Sequence, residues 1–407
     1  MKVSRLKVLL DNVSGRIPVG ELVLHEKNIH FKYHPDFVRS GINISPFKLA
    51  LNTEVQTGNL ALFDALFGVF NDSLPDGWGR LLLDRKLAEK GISPYEVGPL
   101  DRLAYVGETG MGALVYEPVI SEGPQELEAF SLDVLAKSSQ EILQGSSYDL
   151  VDDLYVLGGS SGGARPKINV EYHPVLNELS FGKKELTEGF EHWLIKFPAQ
   201  MDLLDVANIE YAYALMAVDC GIEMSAFKLF EGASGKKYFG TKRFDREGNS
   251  RIHMHSASGL MHDDFRYSQL DYGHLMDCAF KLEKHVLSYE KILTLATFNV
   301  FTHNRDDHSK NFAFVMDSVG KWKFAPAYDL TFSNSSHGHH STTVAGEGLN
   351  PTKKHLLELA HVFDVKNPNE IIDRVRNVVL NWVEYAKKAE VSAQSMKIIQ
   401  KQISGHL

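Results

Sequence analysis

The chain has 407 residues, 43% of them hydrophobic and 23% charged, which is more than one ordinary core needs and points to two or three packed units that fold without staples. A formal charge of −9 and a pI near 6.1 exclude wholesale coating of nucleic acid but allow a local basic face. Cys220 and Cys278 are too few for a disulfide framework or a zinc cluster and fit a reducing cytoplasm, and the start at Met1-Lys2-Val3-Ser4-Arg5 offers neither a signal-peptide core nor a membrane span.

Residues 3–32 alternate apolar and polar positions with turn residues between, so two or three antiparallel strands are expected. A helical stretch over Ala61–Gly68 follows, then the turn Asn71–Gly77, a helix from Trp78 to Lys90 stopped by Gly91, and a strand over Gly112–Tyr116. These make a small β module with helices over residues 1–125. Strands return at Leu154–Leu157, Pro166–Val170, His192–Phe197 and Lys237–Phe244, with a helix over Val206–Gly221 inserted. That order suits a kinase small lobe over 126–245. Beyond His255 the pattern is helical, notably over 274–299 and 367–388. Two short strands, Phe312–Met316 and Lys321–Phe324, interrupt it, giving a helical large lobe over 246–407. The expected fold class is α+β: a two-lobed, protein-kinase-like fold with a mostly helical C-terminal lobe and an added N-terminal β module.

The chemistry concentrates at Asp306-Asp307-His308-Ser309-Lys310-Asn311, where a carboxylate stands five positions before a carboxamide. In phosphoryl transfer the carboxylate orients the attacking hydroxyl and the carboxamide helps hold Mg²⁺. Asn and Asp are also ordinary turn residues, so the loop alone does not decide. Tyr328-Asp329, 23 positions after Asp306 and just past a hairpin-like segment, supplies a second carboxylate. Asp329 and Asn311, with nucleotide phosphates, would suffice for Mg²⁺, which prefers hard oxygen ligands and keeps some water. Lys196 lies in an apolar strand, where it is costly to bury unless a partner keeps it charged; Glu210 in the next helix is available. A strand lysine paired with a helix glutamate positions the α- and β-phosphates in kinases.

The run Gly158–Lys167 admits three readings. It fails as a Walker A loop because Ala164-Arg165 stand where Lys-Ser/Thr is required. It matches G-x-S-x-G through Gly158, Ser160 and Gly162, but a nucleophile elbow runs from strand to helix, and here strand is expected on both sides. The third is a loop over the phosphates, with Ser161, Gly162, Gly163, Ala164 and Lys167 around the nucleotide. A plain hairpin turn is its bland counterpart. His25-Glu26-Lys27-Asn28-Ile29-His30 has one residue too many for a zinc-peptidase motif, and His253, His255, His337, His339 and His340 read as solvated loop histidines.

Taken together, the Leu74–Arg80 segment, the Ser160–Lys167 loop, Lys196, the Asp306–Asn311 loop and Tyr328-Asp329 resemble the HipA-type serine/threonine toxin kinases of bacterial toxin–antitoxin pairs, over nearly the whole chain. The resemblance implies ATP and Mg²⁺ as cofactors, Asp306 as the catalytic aspartate, Asn311 and Asp329 as metal ligands, and Lys196 as the phosphate-binding lysine. It implies a hinge at Lys242, Arg243 and Phe244 beside the adenine, with His308 and Lys310 offsetting phosphate charge and Tyr328 lining the nucleotide site. It also implies autophosphorylation of Ser160, with Ser161 as the alternative. The implied partners are a protein substrate belonging to translation, such as an aminoacyl-tRNA synthetase, and a DNA-binding, HipB-like antitoxin that makes the DNA contacts. No membrane contact is implied. A serine hydrolase using Ser160 and a catalytically silent kinase fold acting as a binding or repressor partner stand as the rival readings.

Overall fold

Three larger sheets, a two-stranded ribbon and a helical mass make up the described residues, 2–120, 130–146, 149–159, 162–183, 185–335 and 338–405, of a computed structural model. The N-terminal sheet is antiparallel, in the order β4-β3-β2-β1-β5, from β1 (Arg5–Asn12), β2 (Gly15–His25), β3 (Asn28–Tyr33), β4 (Gln56–Thr57) and β5 (Leu114–Glu117). Its alternation is regular: in β1 Leu6, Val8 and Leu10 are buried while Arg5 and Lys7 face out, the period of a one-sided sheet. The helix Gly77–Glu89 starts after the turn expected there and packs on the helix Val151–Gly158.

The small-lobe sheet has the order β7-β6-β8-β10-β9, built from β6 (Lys167–His173), β7 (Glu178–Ser180), β8 (Glu191–Lys196), β9 (Phe227–Glu231) and β10 (Lys237–Lys242). Lys167 and Lys196 are cross-strand partners in the β6/β8 ladder, so both stand on one face of the sheet. The helix Val206–Asp219 packs between this sheet and the large lobe. After a two-strand ribbon, β11 (Arg246–Glu247) and β12 (Ser250–Arg251), comes a third sheet of β13 (His253–Ser256), β14 (Ala313–Met316) and β15 (Trp322–Phe324). The remainder of the large lobe is helical, with Tyr272–Glu283, Leu287–Phe301, Pro368–Leu380 and Trp382–Lys388 as main pieces.

Two local expectations change. Residues Val151–Gly158 form a helix rather than a strand at 154–157. Val151, Leu154 and Leu157 are its buried positions, a three-residue spacing that the short apolar run obscured, and Asp152 and Asp153 occupy its first turn, where negative charge favours a helix N-terminus. The glycine-rich segment therefore joins helix to strand. The stretch at 61–68 is not one helix either: a 3-10 turn over Phe63–Ala65, with all three residues at positive φ, precedes a short helix over Gly68–Asn71. Residues 65–70 are all buried, which no single helix face could achieve.

The main hydrophobic core runs from the N-terminal sheet and the short helix after it (Leu6, Phe31, Phe70) through the Val206–Asp219 helix (Tyr213) into the helices of the large lobe (Phe298, Trp382). Trp78 and Leu82 of the Gly77–Glu89 helix belong instead to the small-lobe core, with Ile168, Ile195 and Phe197. The N-terminal part of the chain is thus packed against both lobes. His253 and His255 are buried in β13, not solvated: His253 Nε2 lies 3.0 Å from the carbonyl of Ile44, and His255 bonds Ser45 Oγ at 3.0 Å and Asp72 Oδ2 at 2.6 Å. His340 is also buried, while His337 lies outside the described residues.

Candidate active site

Lys196 ends β8, and its ammonium lies between two carboxylates, Glu210 from the Val206–Asp219 helix and Asp329 from the segment after β15. The lysine side chain is 11% exposed and that of Glu210 6%, so the charges stay ionised only through one another. Burial alone would lower the Lys196 pKa, but Asp329 and Glu210 outweigh it and raise it above the ordinary lysine value. Asp329 is the mirror case: burial pushes its carboxyl up, and Lys196 followed by Lys167 pulls it well below the usual carboxylate range. Glu210, the more deeply buried acid, is left above its ordinary value, by burial first. Asp329 also has φ of +54°, a left-handed conformation costly for a non-glycine residue and frequent at functional sites.

The Asp306–Asn311 loop leaves the Leu287–Phe301 helix and enters β14. Asn311 Nδ2 donates to the carbonyl of Asp306 at 2.7 Å, so the two ends of the motif are tied and the amide oxygen is left for another partner. Burial raises the Asp306 carboxyl above its ordinary value, opposed by His308, whose Nε2 is 3.9 Å from Asp306 Oδ1. Tyr328 links the two acidic segments: its hydroxyl donates to the carbonyl of Lys310 at 2.6 Å. The second aspartate of the doublet was not foreseen as important. Asp307 is fully buried and accepts from Tyr272 Oη at 2.9 Å and from the backbone N–H groups of Ser341 (2.8 Å) and Thr342 (3.3 Å), with His340 Nδ1 at 2.9 Å. It is the anchor that gives the loop its shape.

Of the glycine-rich loop, Gly162, Gly163, Ala164 and Lys167 are described; Ser160 and Ser161 lie outside the described residues. Lys167 folds back so that its ammonium meets the carbonyl of Gly162. Burial, the first cause, lowers the Lys167 pKa although Asp329 counters it. Arg165 forks onto Asp202, with Nε–Oδ1 at 3.0 Å and Nη2–Oδ1 at 2.9 Å, which fixes the far end of the loop. Asp76, which the sequence reading passed over inside the Leu74–Arg80 segment, accepts from the Gly163 N–H and from Lys310 Nζ, the latter at 2.7 Å.

The three residues proposed as a hinge diverge. Lys242 pairs with Glu191 at 2.7 Å on the cross-strand neighbour. Arg243 turns into a buried cluster, its guanidinium forked on Asp245 at 2.8–2.9 Å, where Asp245 also receives Arg246 and the Gly112 N–H at 2.8 Å each. The Arg243 side chain is thus spent on joining the small lobe to the N-terminal module, and its backbone N–H donates to the His192 carbonyl at 2.9 Å. Phe244 packs 5.6 Å from the Tyr328 ring, on the site side.

A strand lysine bridging a helix glutamate and a post-hairpin aspartate, opposite a D-x-x-x-x-N loop, within two lobes of this topology, defines a kinase-like fold. The chain matches the HipA-like C-terminal domain over residues 159–383 and the HipA N-terminal domain over residues 7–117. It belongs to the HipA family. Among solved structures it is similar to the Shewanella oneidensis MR-1 toxin–antitoxin system HipA, solved with HipB and its operator DNA, at 17% identity and a TM-score of 0.69, covering 98% of this chain and 95% of that one. It overlaps more loosely the Helicobacter pylori proinflammatory kinase CtkA, at 12% identity and a TM-score of 0.33, over 53% of this chain and 91% of that one.

Proposed function

We propose that this chain is the toxin of a toxin–antitoxin pair and a protein serine/threonine kinase that transfers the γ-phosphoryl group of ATP with Mg²⁺. The observation that carries the reading is Lys196 held between Glu210 and Asp329 on one side of the Asp306–Asn311 loop. The donor set fits Mg²⁺: Asp329 is kept ionised, and Asn311 offers an amide oxygen, both hard ligands that leave room for phosphate oxygens and water. ATP would supply the phosphoryl group, and Mg²⁺ the positive charge that offsets the negative charge of the phosphate oxygens during transfer. Lys196 and the 162–167 loop bind and orient phosphates. Asp306 takes the proton of the incoming hydroxyl, and burial, by raising its carboxyl, makes it a better base than a free aspartate.

Family likeness supports a target in translation, such as an aminoacyl-tRNA synthetase, autophosphorylation of Ser160, and restraint by a DNA-binding, HipB-like antitoxin. A net charge of −9 suits a chain whose DNA contact is made through such a partner in the cytoplasm. No helix among the described residues is long and apolar enough to cross a membrane. Incubation of the purified chain with labelled ATP and Mg²⁺ is the test. Incorporation that disappears in Asp306→Asn is expected. Nucleotide binding without incorporation would favour a silent binding partner, and activity lacking any need for ATP would favour a hydrolase.

A further inference from the structure

The acid at position 76 stands where a helix N-cap belongs, immediately before the Gly77–Glu89 helix, yet its side chain makes no capping hydrogen bond to that helix. Asp at an N-cap ordinarily accepts from the N–H two or three positions on. Here one carboxylate oxygen takes the N–H of Gly163 and the other takes Lys310 Nζ at 2.7 Å, joining the glycine-rich loop to the Asp306–Asn311 loop. We propose that Asp76 is a positioning residue of the phosphoryl-transfer site. It is the clamp by which the N-terminal module ties residues 162–167 to the Asp306–Asn311 loop.

Neighbouring contacts make the clamp specific to this turn. Trp78 N–H donates to the Gly163 carbonyl at 3.0 Å, so both backbone groups of Gly163 are tied to residues 76–78. The Trp78 indole, wholly buried in the small-lobe core, donates to the carbonyl of Lys167 at 3.2 Å, fixing the start of β6 as well. Between them Gly77 passes so close that a Cβ would lie 2.6 Å from Ala164 Cα and 2.7 Å from the Gly163 carbonyl oxygen, which leaves glycine as the residue that fits. Charge agrees with geometry. Burial pushes the Asp76 carboxyl up, but Lys310, then the Gly163 N–H and Lys167, hold it below the ordinary range, so it remains an anion facing both loops. With Arg165 bound to Asp202 at the other side, residues 163–165 are pinned at two points.

The inference rests on the kinase reading for its catalytic meaning, but the clamp can be tested apart from it. Amide hydrogen exchange across residues 162–167 of the full chain needs no nucleotide: Asp76→Ala removes the charge-assisted bonds to both the Gly163 N–H and Lys310, and is expected to accelerate exchange there by about tenfold or more relative to the rest of the chain. In the same variant the KM for ATP should rise about tenfold while kcat changes much less. Asp76→Asn keeps an oxygen for Gly163 but surrenders the charge for Lys310, so its exchange stays slow and its KM lies between the two. Unchanged exchange in Asp76→Ala overturns the clamp, and faster exchange with parental KM overturns its role in positioning. If Asp76→Ala does not fold, Asp76→Asn decides, and a KM equal to the parent's overturns the proposal. Failure of the chain to bind ATP removes the kinase reading and leaves the exchange result standing.

Discussion

Replacing Lys196 by methionine removes the ammonium that is ion-paired with both Glu210 and Asp329. Glu210 is almost wholly buried and the Asp329 side chain is 31% exposed, so the two anions lose their partner in unequal surroundings. Removing one partner of a buried ion pair costs about 3–5 kcal/mol, and the partial exposure of Asp329 places Lys196→Met near the lower end, about 3 kcal/mol. Glu210→Gln should cost about 1 kcal/mol or less, because Lys196 retains Asp329. The double variant Lys196→Met/Glu210→Gln buries no unpaired glutamate and is expected to recover roughly half of the single loss, a non-additivity that independent sites would not show. The pH dependence has a definite sign. Asp329 has a depressed pKa in the folded chain, so its contribution is present above the unfolded carboxylate value and lost as pH falls; Lys196, with a raised pKa, contributes throughout this range. The gap between parent and Lys196→Met should therefore be widest at pH 7–8 and shrink toward pH 4, as the orphaned acids protonate. Urea denaturation followed by tryptophan fluorescence at pH 5 and pH 8 measures both effects. A loss below about 1 kcal/mol at pH 8, or a double variant no more stable than Lys196→Met, would refute the shared-cation account.

Two further outcomes follow from other buried acids. Glu171 in β6 is 7% exposed, Oε2 has no hydrogen-bond partner among the described residues, and burial pushes its carboxyl up to about 7 from an ordinary value of 4.5. Ionisation in the folded chain then costs stability that begins to be lost above pH 4.5 and is fully lost above pH 7; Glu171→Gln should gain roughly 3 kcal/mol at pH 8 and nothing below pH 4.5 in chemical melts. Asp307→Ala strands a buried tyrosine hydroxyl bond and two backbone N–H groups, so a loss of about 3–5 kcal/mol is expected, with far-UV circular dichroism showing whether the fold survives; a loss under about 1 kcal/mol would show that Asp307 does not anchor the loop.

The parts of the site that were legible in the sequence are those whose partners are close along the chain or fixed by strand and helix order. Asp306 and Asn311 share one loop, and Lys196 and Glu210 are 14 positions apart on a strand and the helix that follows it. The β1–β3 hairpins and the Val206–Asp219 helix were equally plain, because alternation and turn residues mark them locally. The Val151–Gly158 helix was misread for the opposite reason: eight residues with four consecutive apolar ones satisfy strand and helix patterns alike, and packing on β6 and the Gly77–Glu89 helix decides the matter.

Long-range partners explain what stayed hidden. Asp76 finds Gly163 across 87 positions and Lys310 across 234, and no spacing rule announces either contact. The turn Asn71–Gly77 carries an acid before a glycine and a helix, which reads locally as a cap, and only the tertiary fold turns that carboxylate away from its own helix. Asp307 is the same lesson within the motif itself. Of two adjacent aspartates, Asp306 has a half-exposed carboxylate 3.9 Å from His308 Nε2, while its buried neighbour Asp307 is held by Tyr272 Oη, His340 Nδ1 and the N–H groups of Ser341 and Thr342, three of which lie beyond residue 339. A loop that must hold Asp306 and Asn311 in fixed relation has few backbone bonds of its own, so its rigidity comes from distant parts of the chain: Asp307 on one side and Asp76, through Lys310, on the other.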